Sequence, residues 1–202
     1  MSAPYVYSIH RVTTPYQIDF PQLLIHPLCQ IFKEHCPELK PQHLFIMKSP
    51  LRILVAENNA DDAFFLRCAF EEAEVRASIN FVHDGQELVD YLRGEPPFSN
   101  SLLYPVPTML LLDLDLPRID GFRFLAWLRK EPRMQDLVVV ILSGSDRASD
   151  FQRAAGLGAA DYLIKPHNPQ QLVPMVRKLV KPWHDLTAQS VVEPQAEMHP
   201  VA

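Results

Sequence analysis

Residues 108–113 read TMLLLD, an almost purely apolar run that stops on a carboxylate. A strand with one face in water alternates apolar and polar residues, whereas a strand covered on both faces is apolar throughout. The run therefore predicts a central strand of a parallel sheet that is buried on both sides. Asp113 then lies at the carboxyl end of that strand.

Four more short apolar runs and five helical patterns alternate around this strand. The predicted strands cover residues 51–56, 79–82, 108–113, 137–142 and 161–164, and the predicted helices cover 60–75, 85–93, 122–130, 146–157 and 169–180. Asn59 and Asn168 are the predicted N-caps of the first and last helices, and Pro169 takes a first helical position. Short loops and right-handed crossovers then predict an α/β fold, a doubly wound five-stranded parallel sheet with helices on both faces.

Polar residues follow four of the predicted strands at the edge where ligands bind in such sheets. They are Glu57 and Asn58 after the first strand, Asp113 at the third, Ser143 at the fourth and Lys165 at the fifth. One such residue alone is usually a cap or a turn residue. Four positions together indicate phosphoryl chemistry, in which a carboxylate attacks phosphorus, a divalent cation neutralises oxygen charge and donors hold the other oxygens.

From about residue 51 to residue 183 the sequence resembles the receiver domains of two-component response regulators. The resemblance rests on residues 53–62 (ILVAENNADD), 110–121 (LLLDLDLPRIDG), 138–145 (VVVILSGS) and 158–166 (GAADYLIKP). Residues 81–100 (FVHDGQELVDYLRGEPPFSN) are similar to stand-alone receivers that serve bacterial phytochromes and other hybrid sensor histidine kinases. The resemblance implies a flavodoxin-like receiver fold with five helices and strand order 2-1-3-4-5.

The resemblance also implies a phosphorylation site with bound Mg²⁺. Asp113 matches the phospho-acceptor, and Glu57 matches the first acidic position, which touches the metal through water. Asp115 matches the residue whose backbone carbonyl faces the metal. Asn58 stands where the family normally has an aspartate that ligates Mg²⁺ directly.

Three further positions match the parts that switch a receiver between its two states. Ser143 matches the hydroxyl that bonds the phosphoryl group, and Lys165 matches the lysine that pairs with the acceptor and then with the phosphate. Tyr162 matches the aromatic rotamer switch. The Lys165–Pro166 bond matches one that is cis in this family, and cis bonds are essentially an X-Pro feature.

Asn58 leaves two outcomes open. An amide oxygen can coordinate a hard cation but brings no charge. The milder outcome is weaker Mg²⁺ binding and slower phosphorylation. The stronger is a pseudo-receiver that no longer needs phosphate and acts as a protein-interaction module.

The expected function is a stand-alone response regulator in a phosphorelay, whose partner is a sensor histidine kinase of the phytochrome kind. It is an enzyme only in catalysing its own phosphorylation and dephosphorylation. The rival interpretation is a phosphatase of the haloacid dehalogenase type, since Asp113 and Asp115 imitate its DxD motif. That family needs an acidic cluster after the lysine, and residues 166–169 (PHNP) carry no carboxylate.

Composition limits the other classes of function. A net charge of −5 is unlike the basic stripe of nucleic-acid-binding proteins, and the segment after Lys181 is too short for a DNA-binding domain. No apolar run approaches the roughly 20 residues needed to span a bilayer. Three cysteines without metal-site spacing predict a reducing, cytoplasmic compartment. Cys68, in an apolar part of the first helix, is expected to be a buried thiol.

The chain divides into three predicted regions. Residues 1–46 lack glycine and are expected to be a poorly structured extension that is dispensable or not native, with a docking helix at 20–32 as the alternative. Residues 47–183 form the receiver domain, which begins at Met47 as stand-alone receivers typically do. Residues 184–202 are a polar tail that is expected to be disordered.

A homodimer is expected through the fourth helix, fifth strand and fifth helix. Leu172, Met175, Val176 and Leu179 repeat at helical spacing there. The alternative is that this stripe simply covers the sheet. Pro174 is expected to bend or weaken the helix.

Overall fold

The computed structural model describes residues 50–189, and within them five strands alternate with five α-helices. The strands are β1 (Arg52–Ala56), β2 (Ser78–Val82), β3 (Met109–Leu112), β4 (Val138–Ser143) and β5 (Asp161–Ile164). The helices are α1 (Ala60–Glu72), α2 (Gly85–Arg93), α3 (Gly121–Leu128), α4 (Ala148–Gly156) and α5 (Leu172–Gln189). Short 3₁₀ turns at Pro132–Met134 and Pro169–Gln171 precede β4 and α5.

The strands form one parallel sheet in the order β2-β1-β3-β4-β5, as predicted. The central strand is β3, where Leu111 pairs with Val55 of β1 on one side and with Val140 of β4 on the other. All four residues of β3 are buried, in agreement with the continuous apolar run. The doubly wound fold with order 2-1-3-4-5 is confirmed.

Alternation along the strands builds a separate core on each face of the sheet. Leu54 and Ala56 of β1 join one core, which α2, α3 and α4 cover. Ile53 and Val55 join the other, which α1 and α5 cover. Because both faces are packed, the carboxyl edge of the sheet is the place left for a site.

The start of α1 is fixed by Asn59, as predicted. Its side-chain oxygen accepts hydrogen bonds from the backbone N–H of Asp61 (2.9 Å) and of Asp62 (3.0 Å). The cap satisfies two N–H groups that have no partner within the helix. It also holds Asp62 in the first turn, directly beyond the end of β1.

Cys68 is exposed, so the prediction of a buried thiol is wrong. The buried face of α1 consists of Ala63, Leu66, Ala69 and Phe70. Cys68 lies two residues from Leu66, about 200° around a helix axis, and therefore points away from that face.

The end of the chain differs from the prediction. Asn168 caps the 3₁₀ turn, accepting from the N–H of Gln170 at 3.0 Å, and α5 begins only at Leu172. Pro174 falls in the first turn of α5, where its missing N–H costs nothing, so it does not weaken the helix.

The helix α5 then continues through Pro182 to Gln189, because Trp183 is almost fully buried in the core and anchors this turn. The prediction that a disordered tail begins at residue 184 is therefore wrong for residues 184–189, which belong to α5. Residues 190–202 and the predicted extension 1–46 lie outside the described residues.

The apolar stripe of α5 faces the sheet. Leu172 and Val176 are buried in the core that α1 and α5 cover, and Met175 and Leu179 pack against it. The structure thus supports the alternative interpretation of the stripe, and these four residues carry no argument for a dimer. None of the helices within residues 50–189 has the length and apolar character needed to cross a bilayer.

Candidate functional site

Two buried carboxylates stand side by side at the carboxyl edge of the sheet. Glu57 follows β1 and Asp113 follows β3, and their side chains are only 2% and 6% exposed. The backbone N–H of Asp113 donates to the carbonyl of Ala56 at 3.0 Å, which holds the two strand ends in register. Each carboxylate thus continues a paired strand and has little freedom to move away from the other.

Lys165 brings a cation to this pair from the end of β5. Its Nζ lies 2.6 Å from Glu57 Oε2, 2.7 Å from Asp113 Oδ2 and 3.0 Å from Asp62 Oδ2. The backbone N–H of Lys165 donates to the carbonyl of Ser143 at 2.8 Å, which ties its main chain to β4. One ammonium therefore joins three carboxylates from two strand ends and one helix.

The pKa values of Glu57 and Lys165 are both raised, for different reasons. Burial raises the pKa of Glu57 above its ordinary value, although hydrogen bonding and attraction to Lys165 oppose this. Burial alone would lower the pKa of Lys165, but hydrogen bonds to Asp113 and Glu57 outweigh it and raise that pKa. The ammonium therefore stays charged at neutral pH, and in this structure it faces the two buried carboxylates.

The second oxygen of each buried carboxylate is held by the backbone. Asp113 Oδ1 accepts from the N–H of Asp115 at 3.1 Å, and Glu57 Oε1 accepts from the N–H of Asn59 at 3.0 Å. Both side chains are therefore oriented before any ligand arrives. A pre-oriented carboxylate next to an ammonium is suited to attack a phosphorus atom whose oxygens carry negative charge.

Ser143 and Tyr162, the two other predicted switch residues, are connected to each other by hydrogen bonds through Ser145. Ser143 is fully buried at the end of β4, and its Oγ accepts from the N–H of Ser145 at 3.2 Å. The Tyr162 hydroxyl donates to the carbonyl of Ser145 at 3.0 Å, and its ring stacks on Phe151 of α4 with centroids 4.0 Å apart. Tyr162 is thus linked to Ser143 through Ser145.

The oxygen atoms at this edge suit a hard divalent cation, although the site carries one negative charge fewer than it would with an aspartate at position 58. Glu57 and Asp113 already converge on one ammonium, and the backbone carbonyl of Asp115 and the exposed amide of Asn58 lie at the same edge. Mg²⁺ would therefore be held by two carboxylates, neutral oxygens and water.

The predicted cis bond at Lys165–Pro166 is absent. Between residues 50 and 189 the cis peptide bond is Pro96–Pro97. The trans form is the favoured isomer even before proline. In this structure Lys165 reaches its carboxylate partners from a trans bond, so the contacts of the site do not require the cis form.

Two contacts at the site were not predicted from the sequence. The sequence predicts that Asp61 and Asp62 complement the dipole of the first helix, and the resemblance implies that they flank the metal site and add to its negative field, but the contact of Asp62 with Lys165 was not predicted. His83 is exposed, and its Nδ1 lies 3.2 Å from the backbone carbonyl of Glu57. For Asp62 a signal did exist, because a carboxylate in the first turn after β1 must lie close to the strand ends.

The loop after β3 is clamped to the start of α2. Arg118 has a positive φ of 66°, which is unusual for a residue with a side chain, and its guanidinium pairs with the carboxylate of Asp84. The N–H of Gly85 donates to the carbonyl of Pro117 at 3.2 Å. Because this loop also carries Asp115, the clamp helps to set the position of the carbonyl that is predicted to face the metal.

Asp84→Asn tests this clamp by its pH dependence. Burial raises the pKa of Asp84, but hydrogen bonds from Arg118 and from two N–H groups of α2 outweigh it and hold that pKa below its ordinary value. Such a carboxylate stabilises the fold above its unfolded pKa and loses this contribution as pH falls through the folded value. At neutral pH the variant should lower Tm by about 2 °C, and in thermal melts the gap should narrow and then close as pH falls through the lowered pKa of Asp84.

Asp120→Asn is the matched control for this prediction. Asp120 caps α3 by accepting from the N–H of Arg123 at 2.9 Å, and its ion pair with Arg123 is long and exposed, at 3.8 Å. Asparagine preserves a cap in both variants. An Asp84→Asn gap that keeps the same size from neutral to acid pH would contradict the argument.

The family profile of the response regulator receiver domain matches residues 53–177 of this chain. The matched range begins in β1, ends in α5 and includes each side chain of the site described above. It covers more than half of the 202 residues.

Three solved structures are similar to this chain over the same region. The response regulator RPA3017 in red light signalling of R. palustris has 36% identity and a TM-score of 0.61, over 66% of this chain and 92% of its own. The phosphorylated cyanobacterial phytochrome response regulator RcpA has 30% identity and a TM-score of 0.62, over 68% and 96%. The Mn²⁺-bound response regulator Rcp1, a protein of Synechocystis, has 27% identity and a TM-score of 0.58, over 64% and 91%.

Proposed function

This chain belongs to the response regulator receiver domain family, and from that premise we propose that it is a stand-alone phosphorylation switch whose acceptor is Asp113. Receiver domains partner histidine kinases. The phosphoryl group would come from the phosphohistidine of such a kinase. The observation that carries the proposal is the ammonium of Lys165, 2.7 Å from a buried, pre-oriented Asp113 carboxylate.

The chemistry follows from the positions of the side chains. A carboxylate oxygen of Asp113 attacks phosphorus, the bond from phosphorus to the donor nitrogen breaks, and the imidazole leaves with the electron pair. Lys165 and Ser143 then hold oxygens of the new acyl phosphate. Glu57, Asp113 and the Asp115 carbonyl, with Asn58 beside them, would hold Mg²⁺, which would neutralise charge on the phosphoryl oxygens.

The same contacts suggest how phosphorylation of Asp113 changes the surface of the protein. When Ser143 Oγ turns to the phosphoryl group, it gives up its bond to the N–H of Ser145. Ser145 in turn carries the carbonyl that receives the Tyr162 hydroxyl. A shift there frees Tyr162 to leave its stacking partner Phe151 and changes the surface of α4 and β5. This altered surface is the proposed output.

The second candidate is a pseudo-receiver that binds partners without phosphate. It is favoured by Asn58, which is exposed and uncharged at the metal position. Incubation with acetyl phosphate and Mg²⁺, followed by intact-mass measurement, separates the two. A gain of one phosphoryl group supports the active receiver, and no gain at any Mg²⁺ concentration supports the pseudo-receiver.

The proposed kinase is of the phytochrome type, and the proposed location is the cytoplasm. Support comes from the solved relatives that are phytochrome or red light response regulators, RcpA and RPA3017. The proposed activity is limited to gain and loss of this protein's own phosphoryl group.

A homodimer through α4, β5 and α5 is also proposed. Since the stripe on α5 is used by the core, the face would rest on the edge strand β5, where Ile164 is 47% exposed. Light scattering at tens of micromolar, with and without phosphorylation, should give the mass of a dimer. A monomeric mass in both states would contradict this prediction.

A further inference from the structure

We propose that Asp62 is a positioning residue of the phosphorylation site, which supplies the negative charge that Asn58 lacks and holds Lys165 when a divalent cation binds. The proposal rests on the proposed function, since it concerns the same site. It assigns to α1 a part in the chemistry that the strand ends alone do not complete.

The contact itself is specific. Asp62 Oδ2 lies 3.0 Å from Lys165 Nζ, although 103 residues separate the two in sequence. The cap formed by Asn59 accepts from the backbone N–H of Asp62 and fixes this residue in the first turn of α1. The position is therefore set by backbone hydrogen bonding, independently of the lysine.

A count of charge explains why this carboxylate matters. Glu57, Asp113 and Lys165 carry −1, −1 and +1, which leaves −1 at the site. An aspartate at position 58 of this chain would bring the sum of these four positions to −2. Asp62 brings the sum here back to −2, from the neighbouring helix turn. The attraction for a divalent cation grows with this local charge.

The lysine is also a competitor for the cation. In the structure its ammonium lies between Glu57 Oε2 and Asp113 Oδ2, the two oxygens a metal ion would need. Asp62 offers it a partner at the rim, because this carboxylate is 42% exposed while the other two are buried. Lys165 can therefore move toward Asp62 and stay paired while the two buried carboxylates take the cation.

The ordinary role of Asp62 at a helix N-terminus does not account for the contact. Asp61 and Asp62 both lie in the first turn of α1, and the backbone N–H of each donates to Asn59. Both can compensate the helix dipole. Asp62 is the one that the structure pairs with Lys165, so Asp61 provides a matched control on the same turn.

The test is a set of Mg²⁺ titrations by calorimetry, with no phosphoryl donor present, and with thermal melts alongside. Asp62→Asn should weaken Mg²⁺ binding about tenfold, whereas Asp61→Asn should change it by less than about twofold. Asp62→Glu should recover most of the affinity. With Asn58→Asp already in place, the further change Asp62→Asn should cost about twofold, since the missing charge is then supplied at position 58.

Equal losses for Asp61→Asn and Asp62→Asn would overturn the proposal, because the effect would then be one of the helix terminus. Equal losses for Asp62→Asn with and without Asn58→Asp would overturn the idea of compensation. Absence of Mg²⁺ binding by the wild type would overturn it as well. Failure of the proposed function is a separate result, since it would appear as no gain of a phosphoryl group in a protein that binds Mg²⁺ normally.

Discussion

Asp113→Asn is expected to abolish covalent phosphorylation of this protein by acetyl phosphate and Mg²⁺. The amide is a poor nucleophile and removes the charge that Lys165 contacts at 2.7 Å. Asparagine has nearly the same shape, so the buried site stays filled and the loss can be assigned to chemistry. Intact-mass measurement should show one added phosphoryl group on the wild type and none on the variant.

Asp136→Asn is the control for that experiment. Asp136 is an exposed carboxylate that precedes β4, at the opposite edge of the sheet, and its replacement should leave phosphorylation unchanged. Thermal melts of both variants establish that they are folded. Equal phosphorylation of wild type and Asp113→Asn would mean that the acceptor is another residue.

The fold could be predicted from the sequence because each of its elements is encoded locally. Residues 109–112 are apolar throughout, as expected for a strand that is covered on both faces, and they form β3 with β1 and β4 on either side. Asn59 marks the start of α1 because its side chain caps the first N–H groups of the helix. The end of α5 was missed because Trp183 is buried by distant contacts, which no local pattern records.

The residues of the site that follow the strands could be predicted from the sequence, but the side-chain contacts between distant elements could not. Glu57, Asp113 and Lys165 follow apolar runs, and strand topology then brings them together. The pair of Lys165 with Asp62 depends on where two side chains of distant elements meet in space. The bond before Pro166, which follows the end of β5, is trans, whereas the resemblance implied a cis bond.

Gly85, at the start of α2, packs closely against the loop after β3, so a substitution there should affect both the stability of the fold and the geometry of the site. A Cβ on Gly85 would overlap the backbone carbonyl oxygen of Ile119 and lie 2.6 Å from the Ile119 Cβ. The obstacle is backbone, which cannot swing aside as a side chain can. The loop from Pro117 to Ile119 would have to move, and with it the Arg118 clamp and the approach of the Asp115 carbonyl.

Gly85→Ala is therefore expected to destabilise the fold by roughly 3 kcal/mol, which lowers Tm by roughly 6–12 °C. Phosphorylation by acetyl phosphate should also slow at temperatures where the variant is still folded, because the loop after β3 is displaced. Thermal melts and time courses of intact mass measure the two effects. The ordinary gain from alanine within a helix is at most about 1 kcal/mol and cannot offset a clash with backbone.

Gly156→Ala is the matched substitution without the clash. Gly156 is exposed in the last turn of α4, and a Cβ there would meet nothing within 4 Å. Alanine at this position should leave stability unchanged or raise it by up to about 1 kcal/mol, because it restricts the unfolded chain. If Gly85→Ala and Gly156→Ala shift Tm alike, then the loop after β3 yields freely, and the close packing of α2 against Ile119 does not hold the Asp115 carbonyl in place.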